Sequence, residues 1–164
     1  MIIRNLKTII LPTKINRVDD KLYRGNAIFS PIKALKLKQQ GVTQVIDLRS
    51  QHDVVSDAFK FLERLYCKLL KINYSNDSFY LAGNMDLPSQ DFFDKINEKI
   101  DKSKKTYIHC HFGLHRTGIA IALYQKSKNV PKEEICDQLV KNDWKSEKEN
   151  NTLKQVLKTF FSYK

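Results

Sequence analysis

The fold is decided by residues 109–118, which have the sequence His109-Cys110-His111-Phe112-Gly113-Leu114-His115-Arg116-Thr117-Gly118. The residues just before them, 105–109, predict a short strand. The residues just after them, 118–124, are apolar on all sides, which is typical of a central, buried helix. A loop in this position lies at the carboxyl end of a central strand, where open α/β sheets place their ligand crevices.

The residue types in this loop suit the binding of a phosphate group. Exposed backbone N–H groups and the positive end of a helix dipole together attract an anion. Gly113 permits a turn that a side chain would obstruct, and Arg116 carries a planar fork that matches two phosphate oxygens. The same field stabilises a thiolate on Cys110. The loop therefore combines a nucleophile, an anion cradle and a cationic clamp.

Strands and helices alternate on both sides of the loop. Further strands are predicted at 21–25, 42–48 and 69–73, the second of them β-branched and apolar like a buried parallel strand. One helix starts at Ser30-Pro31 and stops at Gly41, as cap chemistry favours. Other helices are predicted at 53–66, around a stripe that includes Phe93 and Ile96, at 131–141 and at 150–162, with a long connection at 76–89. We expect a single α/β domain over 1–164, with its core at about 22–140 and a mostly parallel sheet of four to five strands flanked by helices.

The net charge of +11 favours anionic partners. Phosphoproteins, phosphoinositides and the surface of an anionic membrane all belong to this class, although a lysine-rich source genome would give the same composition. The lysines are spread along the chain without a compact basic run and interleaved aromatics, so no specific nucleic-acid partner is predicted. No apolar run reaches the roughly 20 residues of a spanning helix.

The three cysteines form no CxxC pair and no disulfide framework, which favours a reducing compartment, the cytoplasm. A secreted effector acting in a host cytosol is the alternative. The composition favours a microbial, bacterial source. Cys67 and Cys136 have apolar neighbours and are expected to be packing residues, since free cysteines are often buried. A protective disulfide with Cys110 is the less favoured interpretation.

The pattern His109-Cys110-x5-Arg116-Thr117-Gly118 resembles the signature of the protein tyrosine phosphatase superfamily, in its small atypical dual-specificity branch. The resemblance extends upstream to Leu22-Tyr23-Arg24-Gly25 and to Gly41-Val42-x2-Val45-Ile46-Asp47-Leu48-Arg49, and it covers about residues 22–139. It implies a dual-specificity-phosphatase-like fold and a phosphate monoester hydrolase that needs no metal or other cofactor.

The resemblance also implies a role for each loop residue. Cys110 forms a phosphocysteine, Arg116 holds the transferring group, Thr117 helps the sulfur leave and His109 orients the loop. The general acid is expected about thirty residues upstream, and Asp77, 33 positions before Cys110, is preferred over Asp86, which also suits a helix cap. The substrate-binding positions are those of the loop itself: His109, His111, Phe112, Gly113, Leu114 and His115.

Several alternatives stay open at this point. The histidines beside Cys110 could indicate a metal site, but that interpretation gives Arg116 no role. Phosphoprotein, above all phosphotyrosine, is the preferred substrate. The ending Gly113-Leu114-His115-Arg116 is similar to that of atypical inositol-pyrophosphate enzymes, so phosphoinositides or inositol (pyro)phosphates are the alternative. An inactive module that only binds phosphate is the alternative to an enzyme.

Arg24 and Arg49 are expected to pin loops. Trp144 is expected to lie in the core or at a helix cap.

Overall fold

One sheet with helices on both faces organises the chain. The structure is a computed structural model that describes residues 13–50, 57–79 and 88–142. Within these residues the strands are β1 (Ile15–Arg17), β2 (Leu22–Gly25), β3 (Gln44–Asp47), β4 (Asn73–Asn76) and β5 (Thr106–His109). The helices are α1 (Pro31–Gln39), α2 (Asp57–Leu69), α3 (Gln90–Lys102), α4 (His115–Ser127) and α5 (Lys132–Asn142). The predicted α/β class is confirmed.

The strand order places β5 in the centre of the sheet. The order is β1-β2-β5-β3-β4, with β1 antiparallel to β2 and every other pair parallel. The last residues of the four parallel strands lie side by side in the register, in the order Gly25, His109, Asp47 and Asn76. The segments that follow these strands therefore meet at one edge of the sheet, with Cys110 in the middle of them.

The two faces of β5 contact different helices. Ile108 packs with residues of α3, α4 and α5, whereas Tyr107 packs with residues of α1 and α2. Alternation along a strand puts His109 on the same face as Tyr107, and the two rings stack with their centroids 5.6 Å apart. His109 therefore points toward α1 and α2, behind the loop that it precedes.

Helix α1 begins and ends where cap chemistry predicts. The Ser30 hydroxyl accepts a hydrogen bond from the backbone N–H of Lys33, and Pro31 is the first helical residue. Beyond the helix, Gly41 has a φ of +83°, in the left-handed region that glycine occupies without strain. These features confirm the predicted start and stop.

The strand predicted at 69–73 is misplaced, because the observed strand, β4, begins four residues later, at Asn73. Helix α2 continues to Leu69. Because β4 is an edge strand, it needs no continuous apolar run, and polar side chains tie it to its neighbour. Tyr74 donates to Asp47 at 2.6 Å, for example. The apolar residues that favoured a strand belong to the end of the helix and to the turn after it.

Helix α2 was predicted correctly as a helix, but its apolar stripe does not face the core. Phe61 is 64% exposed and Leu65 is 37% exposed, while Lys60 and Glu63 are buried. Val54, also part of the predicted stripe, lies outside the described residues. The charged side chains turn inward because each has a buried partner: Lys60 donates to the Ser50 carbonyl, and Glu63 joins the cluster described below.

The remaining helices follow the predictions. Helix α4 is buried from Thr117 to Gln125, as expected for the central helix, and α3 buries Phe93 and Ile96. The predicted helix at 150–162 and Trp144 lie outside the described residues. No helix among the described residues has both the length and the apolar composition that crossing a membrane requires.

Candidate active site

Cys110 lies between the central strand and the start of the buried helix. It is the first residue after β5, it is 5% exposed, and helix α4 begins at His115. The first N–H groups of a helix have no partner within it and carry the positive end of its dipole. The thiol therefore occupies the position that the sequence predicts.

Three carbonyl groups of the loop are held from outside. Nδ1 of His109 donates to the Cys110 carbonyl at 3.0 Å. The Ala27 amide donates to the His111 carbonyl at 3.1 Å, and the Arg24 guanidinium donates to the Gly113 carbonyl at 2.8 Å. Every described peptide bond is trans, and in a planar trans peptide the C=O and the next N–H point in opposite directions. The amides of residues 111, 112 and 114 therefore point away from these donors, an arrangement that forms an anion-binding concavity.

Gly113 is required by both conformation and space. Its φ is +72°, and a Cβ built on it would lie 2.1 Å from the Gly25 carbonyl oxygen. A side chain here would push the loop away from the end of β2. The glycine therefore lets the loop approach β2 closely enough for Arg24 to reach the Gly113 carbonyl.

Arg116 lies in the first turn of α4 and is half-buried. Its Nη1 donates to the Leu48 carbonyl at 3.2 Å and to the Phe79 carbonyl at 3.5 Å. These carbonyls belong to the segments that follow β3 and β4. The guanidinium is thus held at the carboxyl edge of the sheet, in the same short loop and helix start as Cys110.

Thr117 is fully buried, and its hydroxyl has no hydrogen-bond partner among the described residues. The bond to the Cys110 sulfur that the resemblance implies is therefore not formed in this structure. An unsatisfied buried hydroxyl costs about 1–3 kcal/mol. A catalytic role is one of the recognised explanations for such a group.

His109 lies behind the loop and not at its mouth. Its side chain is fully buried, with Nδ1 on the Cys110 carbonyl and Nε2 2.6 Å from Oε1 of Glu63. The prediction that His109 contacts substrate is therefore wrong, because its ring points toward α2. Its position suits the second predicted role, which is to orient the loop.

A buried cluster of charges surrounds His109, and its extent was not predicted from the sequence. Arg49 donates to Asp47 at 2.9 and 2.8 Å and also to Glu63, and all three side chains are fully buried. Burial opposes the charge on Asp47, but His109 and Arg49 outweigh it and lower the pKa of Asp47 to about 2. Arg49 thus ties the end of β3 to the middle of α2, as expected for a strand-end arginine. No sequence pattern had pointed to Glu63.

Asp47, Glu63 and His109 bring their donor atoms within 4.8 Å of one another, close enough to hold a metal ion. The Arg49 guanidinium, however, already binds both carboxylates. A fixed cation at this place disfavours a second one through electrostatic repulsion. These side chains therefore do not fit a metal site.

Asp77 follows β4 at the same edge of the sheet as Cys110. Its amide donates to the Asp47 carbonyl at 2.9 Å. Its carboxylate lies 2.5 Å from the Lys99 ammonium and accepts a 2.7 Å bond from Ser75. Two strand spacings separate the ends of β4 and β5, about 10 Å between backbones. Asp86, the alternative acid, lies outside the described residues.

The other predicted substrate-binding residues lie along the loop with different exposures. Phe112 is 55% exposed, while His111, Leu114 and His115 are partly buried. The His111 ring contacts Phe29 edge-on at 5.4 Å between centroids. The structure therefore places an exposed aromatic ring and two histidines around Cys110, with Phe29 as an additional neighbour that the sequence did not suggest.

A small basic cavity adjoins the loop on the β2 side. Its volume is about 120 Å³, and its lining residues are Lys14, Asn16, Arg24, Gly25, Gly113, Leu114 and Lys141. Three of these residues are cationic and none is acidic. The cavity therefore offers an anionic group a place beside the loop, and it was not predicted from the sequence.

The other two cysteines form no disulfide. Cys67 is buried against α1 and β3, as predicted, and burial, together with Glu63 and Asp47, raises the pKa of its thiol to about 12. Cys136 is only partly buried, and burial again raises its pKa. Neither thiol is positioned as a nucleophile.

Comparisons with known proteins agree with this geometry. Residues 15–162 match the model of the tyrosine phosphatase family. The core catalytic domain of the PP-IP phosphatase SIW14 from S. cerevisiae is similar in fold, with a TM-score of 0.62 and 19% identity over 80% of this chain and 77% of that one. PTPMT1 has a TM-score of 0.62 and 18% identity over 91% and 97% of the two chains.

A third similar structure is TpbA from P. aeruginosa, with a TM-score of 0.57 and 16% identity over 78% of each chain. No curated protein sequence matches. At these identities the solved structures show a shared fold, whereas the family match covers most of the chain and includes the whole loop. The chain therefore belongs to the tyrosine phosphatase family.

Proposed function

We propose that this phosphatase hydrolyses phosphate monoesters through a phosphocysteine on Cys110. The observation that carries the proposal is the orientation of the loop: donors outside the loop hold three of its carbonyls, so the amides of the same peptides point away from those donors, next to the thiol at the start of α4. Fixed N–H dipoles stabilise the charge that develops on a transferring phosphoryl group.

The reaction has two steps. The Cys110 sulfur attacks phosphorus, an S–P bond forms and the ester P–O bond breaks, while the leaving oxygen takes a proton from the general acid. Water then attacks phosphorus and gives a proton to the carboxylate that acted as the acid, the S–P bond breaks and inorganic phosphate leaves. Arg116 and the loop amides hold the equatorial oxygens in both steps, and the Thr117 hydroxyl donates to the departing thiolate.

Asp77 is the proposed acid. In the described state its carboxylate is held by Lys99 and Ser75, so proton donation requires it to turn toward the leaving oxygen. Active-site residues that follow a strand, as Asp77 does, commonly move when an enzyme binds its substrate. Asp86 is the alternative, and the variants Asp77→Asn and Asp86→Asn distinguish the two.

Phosphoprotein, and phosphotyrosine in particular, is the substrate class we propose first. The support is the family match and the similar fold of TpbA, of which a second structure contains pTyr. The exposed Phe112 ring suits an aromatic substrate, because aromatic pairs stack favourably at a site entrance. A reducing cytoplasm is the proposed compartment, since the reaction needs a thiolate.

A second candidate substrate class is inositol phosphates, including pyrophosphates. The observation in its favour is the basic cavity of Lys14, Arg24 and Lys141 beside Gly113 and Leu114, because a substrate with several phosphates could place one there. The similar fold of SIW14, a PP-IP phosphatase, adds support.

Turnover of para-nitrophenyl phosphate, with trapping of the phosphoenzyme by acid quench, tests the reaction. We expect activity that Cys110→Ser abolishes. A folded chain that binds phosphate without turnover would instead identify an inactive binding module.

A kcat/KM panel of phosphotyrosine peptides, phosphothreonine peptides, phosphoinositides and soluble inositol phosphates then ranks the substrates. The double variant Lys14→Ala and Lys141→Ala should raise KM only for substrates with several phosphates, if these are used. Lys104→Ala, at an exposed lysine away from the cavity, is the matched control.

A further inference from the structure

Glu63 and His109 meet behind the catalytic loop, on the face of the sheet covered by α1 and α2. Nε2 of His109 lies 2.6 Å from Oε1 of Glu63, and both side chains have no exposed surface. The other ring nitrogen, Nδ1, is 3.0 Å from the Cys110 carbonyl oxygen. The imidazole thus connects a helix carboxylate to the backbone of the nucleophile, and the reaction scheme above gives Glu63 no role.

These distances constrain where the protons are. A carbonyl oxygen only accepts hydrogen bonds, so Nδ1 must carry a hydrogen. If Nε2 were unprotonated, two acceptor atoms would face each other at 2.6 Å, and neither has another hydrogen-bond partner among the described residues. The contact does not count as a hydrogen bond, so any attraction between the two atoms is electrostatic. It is attractive only when a second proton is present.

The contact between Arg49 and Glu63 favours His109 as the carrier of the second proton. The Arg49 guanidinium binds Oε2 of Glu63 and both oxygens of Asp47. With His109 as imidazolium, two buried cations balance two buried carboxylates. A neutral His109 would leave Oε1 of Glu63 2.6 Å from an uncharged acceptor nitrogen, which is costly in a buried place.

The other groups around the ring do not change this balance. On the β3 side, Asp47 Oδ1 is 3.9 Å from Nδ1. On β4, Tyr74 donates its hydroxyl hydrogen to Asp47, and on β5 the ring of Tyr107 stacks on His109. Burial raises the pKa of both tyrosines further above their usual range, so both stay neutral.

The titratable groups on the helices are likewise accounted for. On α1, Lys33 binds Asn26. Glu63 also acts on Lys33, but burial lowers the pKa of Lys33 to about 7, so Lys33 carries less than a full charge at neutral pH. On α2, Lys60 donates to the Ser50 carbonyl, and the Cys67 thiol, with its raised pKa, is neutral. On the loop itself, the titratable residue that contacts the ring is Cys110, through its carbonyl oxygen.

We propose that Glu63 is a positioning residue that keeps His109 doubly protonated. The imidazolium then holds the Cys110 carbonyl outward, which turns the His111 amide toward the phosphate site. It also places positive charge on the backbone of Cys110, where a nearby cation favours the thiolate. This inference deepens the proposed function, because it rests on Cys110 being the nucleophile.

Glu63→Gln tests the proposal with little change in shape. The new amide can donate to Nε2, so His109 becomes neutral and its positive charge is lost. Alkylation of Cys110 by iodoacetamide, followed by mass spectrometry of the Cys110 peptide, should then require a higher pH, by about one unit at the midpoint. Glu98→Gln, at an exposed glutamate on α3, is the control and should leave the midpoint unchanged. A midpoint that stays the same or moves to lower pH in Glu63→Gln would overturn the proposal.

Nitrogen-15 NMR of histidine in the wild-type chain gives a second test, in case Glu63→Gln does not fold. Both ring nitrogens of His109, assigned by comparison with His109→Gln, should be protonated at pH 7. A neutral His109 ring would contradict the proposal. Neither measurement uses substrate, so an inactive wild type in the para-nitrophenyl phosphate assay would refute the proposed function without deciding the role of Glu63.

Discussion

The Arg24 guanidinium donates a 2.8 Å hydrogen bond to the carbonyl oxygen of Gly113, and this bond ties the end of β2 to the middle of the catalytic loop. Arg24 is 8% exposed, so its loss would leave a buried carbonyl without this donor. The bond also fixes the peptide that presents the Leu114 amide to the phosphate site. Arg24 is therefore expected to matter for turnover although its bond lies on the outer side of the loop.

We expect Arg24→Ala to lower kcat for para-nitrophenyl phosphate by roughly 10- to 100-fold and to destabilise the chain by about 1–3 kcal/mol. Arg17→Ala is the control, since Arg17 forms an exposed ion pair with Asp20, and it should change neither quantity measurably. Steady-state kinetics and urea unfolding measure both. Full activity of Arg24→Ala would show that the loop keeps its shape without this bond.

Gly113→Ala should lose most activity and stability. The new Cβ would lie 2.1 Å from the Gly25 carbonyl oxygen, at a φ of +72°. Backbone strain and the displaced loop together should cost about 2 kcal/mol or more. The control is Gly41→Ala, which has a φ of +83° but meets no atom closer than 3.7 Å. It should cost only the strain, about 1 kcal/mol, with kcat unchanged. Equal effects of the two substitutions on kcat would argue against close packing of the loop on β2.

Lys33→Met should change how stability depends on pH. Burial lowers the pKa of Lys33 to about 7, against an opposing effect of Glu63. Between pH 7 and the unfolded value near 10.5, the unfolded chain holds more protons, so the wild type gains stability as the pH rises. From pH 7 to pH 9 this group contributes a gain of about 2 kcal/mol. Urea unfolding at the two pH values should show a smaller gain in Lys33→Met, and identical pH dependences would mean that Lys33 stays charged when folded.

Asp77→Asn should remove the limb at high pH from the kcat profile and lower kcat on alkyl phosphates by roughly 10²- to 10⁴-fold. The effect on para-nitrophenyl phosphate should be smaller, because its leaving group needs little protonation. Asp86→Asn is the matched comparison. A lost limb in Asp86→Asn, with Asp77→Asn normal, would assign the acid to Asp86.

Local chemistry explains why much of this site could be predicted. Cys110, Gly113 and Arg116 act within one short loop, where residue spacing determines geometry, and the central strand and buried helix on either side are strongly apolar. Ser30, Pro31 and Gly41 likewise determine the ends of α1 through their own backbone preferences.

What could not be predicted depends on contacts distant in sequence. Glu63 meets His109 across 46 positions, and nothing near Glu63 in the sequence indicates that contact. Strand β4 was misplaced because an edge strand can be polar when its neighbour supplies hydrogen bonds, as Asp47 does for Tyr74. Helix α2 is rotated so that Lys60 is buried, and the partner of Lys60 is the Ser50 carbonyl, ten positions away.

Because α2 buries charged residues and exposes apolar ones, it will respond to mutation in an unusual way. Phe61 and Leu69 are 64% and 71% exposed, whereas Lys60 and Glu63 are buried among polar partners. A saturation scan of this helix should tolerate glutamine at Phe61 or Leu69 and reject leucine at Lys60 or Glu63, the reverse of the usual expectation for an amphipathic helix. A redesign guided by hydrophobicity alone would therefore improve the solubility of this surface only if it left those two charged positions unchanged.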